Sequence, residues 1–288
     1  MVKRGRAAVK RYGVIFTCLS SRAVHLEVAS SLDTDSAVNA IRRFVARRGM
    51  VKFIRSDNGT NLVGAEKELR QELAKLKQSS IRDTLCDKGI KWEFNPPTGS
   101  HFGGVWERLI RSVRKIMYGL LYELKHRLDD EGLHTLLCEV EAVLNSRPIT
   151  ASSTQSDDLR ALTPNDLLLA HNTGAPPGEF SKDDCYARKR WRRVQYLVDL
   201  FWKRWVSEYL PLLQERQKWL KPRRNVSIGD IVLLIDNAPR GSWALGRVVS
   251  TKEDSKGLVR MVKVKTATSL MERPVQKLCL ILEADCDG

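Results

Sequence analysis

The chain has 288 residues, of which 42% are hydrophobic and 29% charged, a balance that is ordinary for a globular protein and excludes a wholly disordered chain. Its 49 Lys and Arg outnumber 34 Asp and Glu, and the net charge of +15 favours polyanionic partners such as nucleic acid, although a merely basic surface has the same balance. No stretch approaches the roughly 18 consecutive apolar residues of a membrane span, and no apolar segment follows the basic start, so we expect neither a membrane segment nor a signal peptide.

The first part of the chain alternates strand and helix patterns. Two β-branched and aromatic runs, residues 12–19 and 23–28, flank a polar turn and predict a hairpin. The acids and hydroxyls of residues 33–36 predict the start of a helix, and Gly49 predicts its end. Residues 51–55 alternate like a strand, which places Asp57 directly after the C-terminal end of that strand.

Helical patterns dominate the following part. Residues 62–78 predict a polar helix and residues 90–94 a short strand. A long helix is predicted after Gly103-Gly104, a further one over residues 132–146, and another from residue 163, where Thr-Pro-Asn-Asp provides a cap. The long helix has one apolar stripe, formed by Trp106, Leu109, Ile110, Val113, Met117, Leu120, Leu121 and Leu124.

The last third of the chain combines a linker, a basic helix and short strands. Residues 172–180 are rich in Gly and Pro and predict a linker. Residues 181–226 contain 13 Lys or Arg against 5 Asp or Glu, and apolar residues three or four apart predict a basic amphipathic helix there. Beyond Gly229, turn residues separate four β-rich runs, which predicts a small antiparallel barrel. The runs are residues 231–235, 245–249, 258–265 and 275–282.

The six cysteines are scattered, with no Cys-x-x-Cys pair and no His-x-His spacing. This pattern favours reduced thiols in an intracellular compartment, the nucleus or the cytoplasm, and argues against a structural zinc site. The cysteines are Cys18, Cys86, Cys138, Cys185, Cys279 and Cys286.

Two segments carry acids in places suited to chemistry. In residues 56–59 the dipeptide Asn58-Gly59 is typical of a plain turn after a strand, so Asp57 alone does not indicate a site. In residues 101–107 two glycines precede a helix, and the macrodipole favours an acid in the first helical turn whatever its role. Each motif by itself is therefore more typical of ordinary structure than of a site.

The face of the long helix that carries Glu107 is more informative. On a helical wheel at roughly 100° per residue, Arg111, Arg114 and Tyr118 fall within about 40° of this acid, opposite the apolar stripe. One interpretation is a network of i, i+4 ion pairs on a solvated face. The other is a metal-binding acid beside a track for phosphate groups. The pattern permits both.

Five segments in order resemble one known family. They are Arg11-Tyr12-Gly13-Val14, Arg22-Ala23-Val24-His25-Leu26-Glu27, Ser56-Asp57-Asn58-Gly59-Thr60-Asn61, His101-Phe102-Gly103-Gly104-Val105-Trp106-Glu107 and Leu144-Asn145-Ser146-Arg147-Pro148-Ile149-Thr150. Residues 11–171 thereby resemble the integrase core of BEL/Pao-type long-terminal-repeat retrotransposons. The resemblance implies an α/β ribonuclease-H-like core with a mixed sheet, truncated at its N-terminal end.

The resemblance also implies a metal-dependent DNA-joining activity. Asp57 and Glu107 match the second and third acids of the family's Asp-Asp-Glu set, which binds two Mg²⁺ or Mn²⁺ ions. In the family these ions activate water to trim a cDNA 3′ end, and then the new 3′-hydroxyl to attack target DNA. The residues expected to contact nucleic acid are Asn58, His101, Arg111, Arg114 and Lys115.

Residues 220–283 are similar to the C-terminal domain that follows the integrase core in the same elements. The matching pieces are Gly229-Asp230, Leu245-Gly246-Arg247-Val248 and Arg273-Pro274-Val275-Gln276-Lys277-Leu278. The similarity implies an all-β, SH3-like barrel. We therefore predict an incomplete integrase core over residues 1–171, a linker and basic helical connector over 172–220, and a barrel over 221–288.

The sequence departs from the family at the first acid, an Asp on the strand immediately before residues 12–19. Here only a Lys- and Arg-rich segment precedes that strand, and Asp33 and Asp35 have the positions of helix caps. The zinc-binding domain that usually precedes the core is also missing. The sequence therefore predicts either a truncated integrase with an incomplete catalytic set or a protein that has lost catalysis.

Three functional hypotheses follow. The first is a retrotransposon integrase fragment that binds DNA ends and target DNA as a homo-oligomer, away from membranes. The alternative is a non-enzymatic DNA- or chromatin-binding protein derived from the element. A third is a ribonuclease-H-like nuclease that acts on RNA·DNA hybrids.

Overall fold

The computed structural model describes residues 2–4, 7–49, 51–56, 60, 62–68, 91–94, 104–123, 128–151, 161–169, 179–185, 189–213, 224–235, 240–255 and 257–284. These residues form a mixed α/β structure that divides into two compact units. Unit 1 comprises Met1–Thr17 and Val24–Cys138, and unit 2 comprises Cys18–Ala23 and Glu139–Gly288. The three domain ranges expected from the sequence stay a prediction.

Unit 1 begins with antiparallel strand pairs. Strands β1 (Val2–Arg4) and β2 (Ala7–Val9) form one pair. Strands β3 (Tyr12–Thr17) and β4 (Val24–Ala29) form the next, in a register that pairs Tyr12 with Ala29 and Thr17 with Val24. This second pair confirms the hairpin predicted from the β-branched runs.

Helix α1 (Thr34–Arg48) follows the hairpin and has a cap at each end. The Asp33 carboxylate accepts a hydrogen bond from the backbone N–H of Ser36 at 2.8 Å, which satisfies one of the free donors of the first turn. The helix ends at Gly49, whose φ of +86° is a conformation that a residue with a Cβ rarely adopts. Both ends agree with the sequence pattern.

A parallel strand pair follows α1. Strands β5 (Phe53–Ser56) and β6 (Lys91–Phe94) run in the same direction, and residues 62–68 between them are helical. One hydrophobic cluster joins the parts of this unit: its buried members on α1 pack with a side chain from each of β3, β5 and β6. These side chains are Ala37, Ile41, Phe16, Ile54 and Trp92. Helix α1 therefore holds both strand pairs through its apolar face.

Further helices agree with the predicted patterns. They are α2 (Gly104–Glu123), α3 (Asp130–Asn145) and α4 (Pro164–Leu169). At the start of α4, Asp166 accepts hydrogen bonds from the backbone N–H and the hydroxyl of Thr163, both at 2.8 Å. Strands β7 (Thr150–Ala151) and β8 (Ala161–Leu162) form a short antiparallel pair before α4. No helix in the described ranges is both long and apolar enough to cross a membrane.

Unit 2 contains helix α5 (Arg190–Leu213) and a five-stranded antiparallel sheet. Along α5 the buried side chains recur three or four residues apart, as the pattern predicted, and they are Val194, Leu197, Val198, Phe201 and Trp205. The sheet has the order β12-β11-β10-β9-β13. Its strands are β9 (Ile231–Leu234), β10 (Leu245–Glu253), β11 (Val259–Thr266), β12 (Leu270–Pro274) and β13 (Leu278–Leu282).

The prediction of a strand over residues 275–282 was wrong for the first three residues. Val275–Lys277 is a 3-10 turn and only Leu278–Leu282 is a strand, while β12 was missed. The sequence of β12 shows no clear alternation of apolar and polar residues, since Leu270 and Glu272 lie on the same face and both are exposed. Pro274, at the end of the strand, has no N–H to donate. The turn after Pro274 lets the chain reach the opposite edge of the sheet.

Candidate nucleic-acid interface

Strand β5 ends where the first candidate motif begins. Ser56 is its last residue and pairs with Phe94 of β6, and the indole N–H of Trp92 donates to the Ser56 hydroxyl at 3.0 Å. Asp57 follows directly in the sequence. Asp57 and Asn58 themselves lie outside the described residues, so their roles stay a prediction.

Helix α2 begins at Gly104 and contains Glu107 in its first turn, as the sequence predicted. Description of its side chains begins at residue 110, so the side chain of Glu107, like the whole of His101, lies outside the described part. From there the helix is clearly two-sided. The buried face consists of Val113, Ile116, Met117 and Leu120. The predicted apolar stripe is thus confirmed over these turns.

The opposite face of α2 is basic and exposed. Arg111, Arg114 and Lys115 all lie on it, in reach of solvent. Two tyrosines continue the same face, Tyr118 and Tyr122, of which the sequence analysis had singled out only the first. The four-residue spacing between the two rings was the signal for the second. A polyanion that lies along this helix would contact the cations near its N-terminal end and the aromatic rings nearer its C-terminal end.

Two of the acids that precede β5 serve the fold. Glu27 on β4 is 1% exposed, and its carboxylate contacts His25 Nε2 at 2.9 Å and accepts a hydrogen bond from Arg43 Nε at 2.8 Å, with Arg47 as a further partner. Asp33 caps α1, and hydrogen bonds from Ser31 and Ser36 lower the pKa of its carboxyl group. Glu27 and Asp33 are therefore engaged in holding β4 and α1.

The described residues contain no ready-made metal centre. Within these ranges, no group of three or more His, Cys, Asp or Glu side chains is arranged to hold a metal ion. Cys18, Cys138 and Cys279 carry thiols that are not joined in disulfides, and burial raises the pKa of Cys279 to about 11. A thiol with so high a pKa is a poor nucleophile and a poor ligand at neutral pH.

In unit 2, the segment that follows α3 makes structural contacts. The buried Arg147 donates to the carbonyl of Leu144 at 2.6 Å and to the carbonyl of Arg22, which has a left-handed backbone with φ of +59°. Burial lowers the pKa of Arg147. Tyr209 of α5 donates its hydroxyl to the carbonyl of Pro148 at 3.1 Å, and burial raises the pKa of Tyr209 to about 12.

A second buried guanidinium joins the turn before β10 to α5. Arg240, only 6% exposed by its side chain, contacts Asp199 at 3.1 Å and donates to the Gln195 side-chain oxygen at 2.7 Å. Burial raises the pKa of Asp199, and Arg240 opposes that change. Trp243 packs edge-on against Trp202, with ring centroids 4.9 Å apart. These side chains stabilise unit 2 and offer no exposed reactive group.

Comparisons with known proteins add little to this geometry. Residues 189–281, about a third of the chain, match a family of unknown function, DUF5641. No curated protein matches the chain. A chain in the cryo-EM structure of the simian T-cell lymphotropic virus intasome in complex with PP2A regulatory subunit B56 gamma is similar over 100% of this chain and 84% of that chain, at 12% identity and a TM-score of 0.36. A TM-score that low supports no conclusion about fold or activity.

Proposed function

We propose that this protein is an integrase-like polynucleotidyl transferase that binds DNA along the exposed face of α2 and carries Asp57 and Glu107 as metal-binding acids. One observation carries the proposal. A parallel strand ends at Ser56, next to Asp57, and a helix with Glu107 in its first turn continues into a row of exposed cations. The net charge of +15 supports a polyanionic partner.

The finer fold is part of the same proposal. The antiparallel pair β3–β4 and the parallel pair β5–β6 share α1 as a common cover, which supports a mixed sheet of the ribonuclease-H-like type. In unit 2, the strand order β12-β11-β10-β9-β13 and the 3-10 turn before β13 support an SH3-like barrel. We further propose that the protein acts on DNA as a homo-oligomer in an intracellular compartment.

The expected cofactor is Mg²⁺ or Mn²⁺. Carboxylates suit these ions because both prefer hard oxygen donors. When bound between such acids, a pair of ions activates the attacking oxygen and stabilises the leaving oxygen of a phosphoryl transfer. Asp57 and Glu107 would hold the metal, while Asn58, His101, Arg111, Arg114 and Lys115 would position the phosphate backbone.

A second candidate function is a DNA- or chromatin-binding protein without catalysis. The positions of two other acids favour it, because Glu27 is buried among basic side chains and Asp33 caps α1. Neither is available as the missing first acid of the Asp-Asp-Glu set. Two acids without a third would hold metal more weakly than the complete set.

A DNA nicking and joining assay separates the two functions. The full chain is mixed with labelled duplex DNA and plasmid target in Mg²⁺ or Mn²⁺, with an RNA·DNA hybrid offered in parallel. We expect nicked and joined DNA products that Asp57→Asn and Glu107→Gln each reduce at least about a hundredfold, the scale on which loss of one essential electrostatic group acts.

The matched control is Asp35→Asn, which removes one exposed carboxylate from the first turn of α1 and should leave activity unchanged. Binding of DNA without any nicking or joining by the wild-type protein would refute the enzyme and support the second function. Cleavage of the hybrid alone would support a ribonuclease-H-like nuclease in place of an integrase.

A further inference from the structure

Two tyrosines stand stacked and exposed on helix α2. Tyr118 is 73% exposed and Tyr122 is 76% exposed, and they are the most exposed large apolar side chains among the described residues. Their ring centroids lie 6.4 Å apart and the planes differ by only 16°. The two rings therefore present nearly parallel aromatic faces to solvent.

The packing of α2 does not account for these rings. The helix buries the opposite face, which includes Val113, Met117 and Leu120, and the tyrosines contribute nothing to that core. Aromatic side chains are also weaker helix formers than Leu, Lys or Glu, so an exposed helix position gains no stability from them. Exposed aromatic area of this kind is typical of a surface that meets a ligand.

The neighbours of the rings indicate the chemistry of that ligand. Arg111, Arg114 and Lys115 occupy the same exposed side of the helix, one and two turns before the tyrosines. At about 1.5 Å of rise per residue, Tyr118 lies about 6 Å beyond Arg114, and Tyr122 about 6 Å further. Cations followed by flat rings suit a chain that alternates phosphates with bases, whereas an apolar protein surface would not be complemented by the arginines.

We propose that Tyr118 and Tyr122 form a stacking site for unpaired bases of a nucleic-acid strand whose phosphates contact Arg111 and Arg114. This inference rests on the proposed nucleic-acid function and adds the substrate class: single-stranded or frayed ends in preference to closed duplex. Bases in a duplex already stack on their neighbours, so only unpaired bases have faces free for the tyrosine rings. The sequence of the strand matters little, because every base has such a face.

The test is a binding titration without metal. The affinity of the full chain is measured by fluorescence anisotropy, in EDTA and at one fixed salt concentration, for a labelled single-stranded oligonucleotide and for the same sequence as a blunt duplex. The variants are Tyr118→Leu/Tyr122→Leu, which removes both rings, and Tyr118→Phe/Tyr122→Phe, which keeps them. Trp191→Leu is the matched control, because it removes a 53% exposed aromatic ring from α5.

Each ring should contribute at least about fivefold to the single-strand affinity, which corresponds to the lower end of the measured free energies of base stacking. The double Leu variant should lose both contributions. The double Phe variant should keep wild-type affinity, and duplex binding should change less than twofold in every variant. Circular dichroism checks that the helix content is unchanged.

Four results would overturn the stacking site. They are equal losses for duplex and single strand, an unchanged single-strand affinity in the Leu variant, an equal loss in Trp191→Leu, and a change of oligomeric state without a change in affinity. The last would make the tyrosines a contact between protein chains. If the wild-type protein binds neither oligonucleotide, the proposed nucleic-acid function itself fails.

Discussion

The strands of the two units are held in different ways. In unit 2, strands β9, β10 and β11 each have a neighbour on both sides, so the five-stranded sheet satisfies most of its own backbone groups. In the described part of unit 1, the pairs β3–β4 and β5–β6 each have two strands, and α1 packs on both. An isolated two-stranded pair is only marginally stable. The described strand pairs of unit 1 therefore depend on helix packing and on the buried Glu27.

The two units also differ in the role of the residues that the sequence singled out. Two residues of unit 2 that the sequence comparison singled out are buried structural groups: Asp230 accepts hydrogen bonds from the segment that precedes β9, and Arg147 ties the end of α3 to the Arg22 carbonyl. The exposed candidates for binding lie in unit 1, on α2. The less self-supported unit is the one that carries the candidate site, which is common for functional regions.

The largest expected effect is at Glu27. In Glu27→Gln, His25, Arg43 and Arg47 lose a buried carboxylate that all three contact, and removing one partner of a buried pair costs about 3 kcal/mol of unfolding free energy. Denaturant unfolding followed by hydrogen exchange in β3 and β4 measures it. Glu272→Gln, which loses exposed ion pairs with Lys252 and Lys263, is the control and should cost under about 0.5 kcal/mol. A loss of unfolding free energy below about 1 kcal/mol in Glu27→Gln would contradict the inference that the strand pairs of unit 1 depend on this carboxylate.

A smaller loss is expected at Asp230, which is 0% exposed. Its carboxylate accepts from Arg224 Nη2, the N–H of Ser227 and the N–H of Ala284, each at 2.9 Å. Burial acts to raise the pKa of Asp230, but these hydrogen bonds outweigh it and the pKa is lowered. Asp230→Asn should cost about 2 kcal/mol, confined to unit 2, as expected for hydrogen bonds to a charged group.

The lowered pKa of Asp230 also predicts how the stability of unit 2 changes with pH. Because the folded pKa of Asp230 is lowered, its contribution is present above the unfolded value of about 4 and is lost as the pH falls below that. Between pH 6 and pH 2 the wild-type protein should therefore lose more stability in unit 2 than Asp230→Asn does. Equal acid sensitivity of the two proteins would contradict this account.

The smallest effect is expected at Tyr209. Tyr209→Phe removes the hydrogen bond to the Pro148 carbonyl and should cost about 1 kcal/mol, whereas Tyr118→Phe, on an exposed ring, should cost almost nothing. Since burial raises the pKa of Tyr209 to about 12, wild-type stability should fall between pH 10 and pH 12, where the unfolded tyrosine ionises first. Alkaline unfolding of the Phe variant should be shallower, and identical curves would place the tyrosine in contact with water.

Local patterns predicted much of the fold. The hairpin β3–β4 followed from two β-branched runs around a polar turn, and α1 from a capping acid at one end and a glycine at the other. The exposure of Arg111 and Arg114 followed from the apolar stripe on the other side of α2. In each case, residues a few positions apart decide the structure, and the sequence contains all of them.

Long-range contacts were beyond such patterns. His25 and Glu27 alternate on a strand like any polar pair, and only the packing of α1 brings Arg43 and Arg47, some twenty residues later, onto that carboxylate. The same applies to Arg147, whose partner carbonyl at Arg22 lies far back in the chain. The spacing of Arg43 and Arg47 by one helical turn was the available signal, because it presents both guanidinium groups on one side.

The salt dependence of DNA affinity tests the central claim, that nucleic acid lies along the exposed basic face of α2. Each neutralised phosphate contributes a slope of about 0.9 in a plot of log affinity against log salt, so Arg111→Gln/Arg114→Gln should lower the slope for duplex DNA by about 1.8. Lys91→Gln, at the start of β6 and paired with Glu93, removes a charge elsewhere in unit 1 and should leave the slope unchanged. A nearly flat dependence for the wild-type protein, or the same slope in the double variant, would contradict the claim.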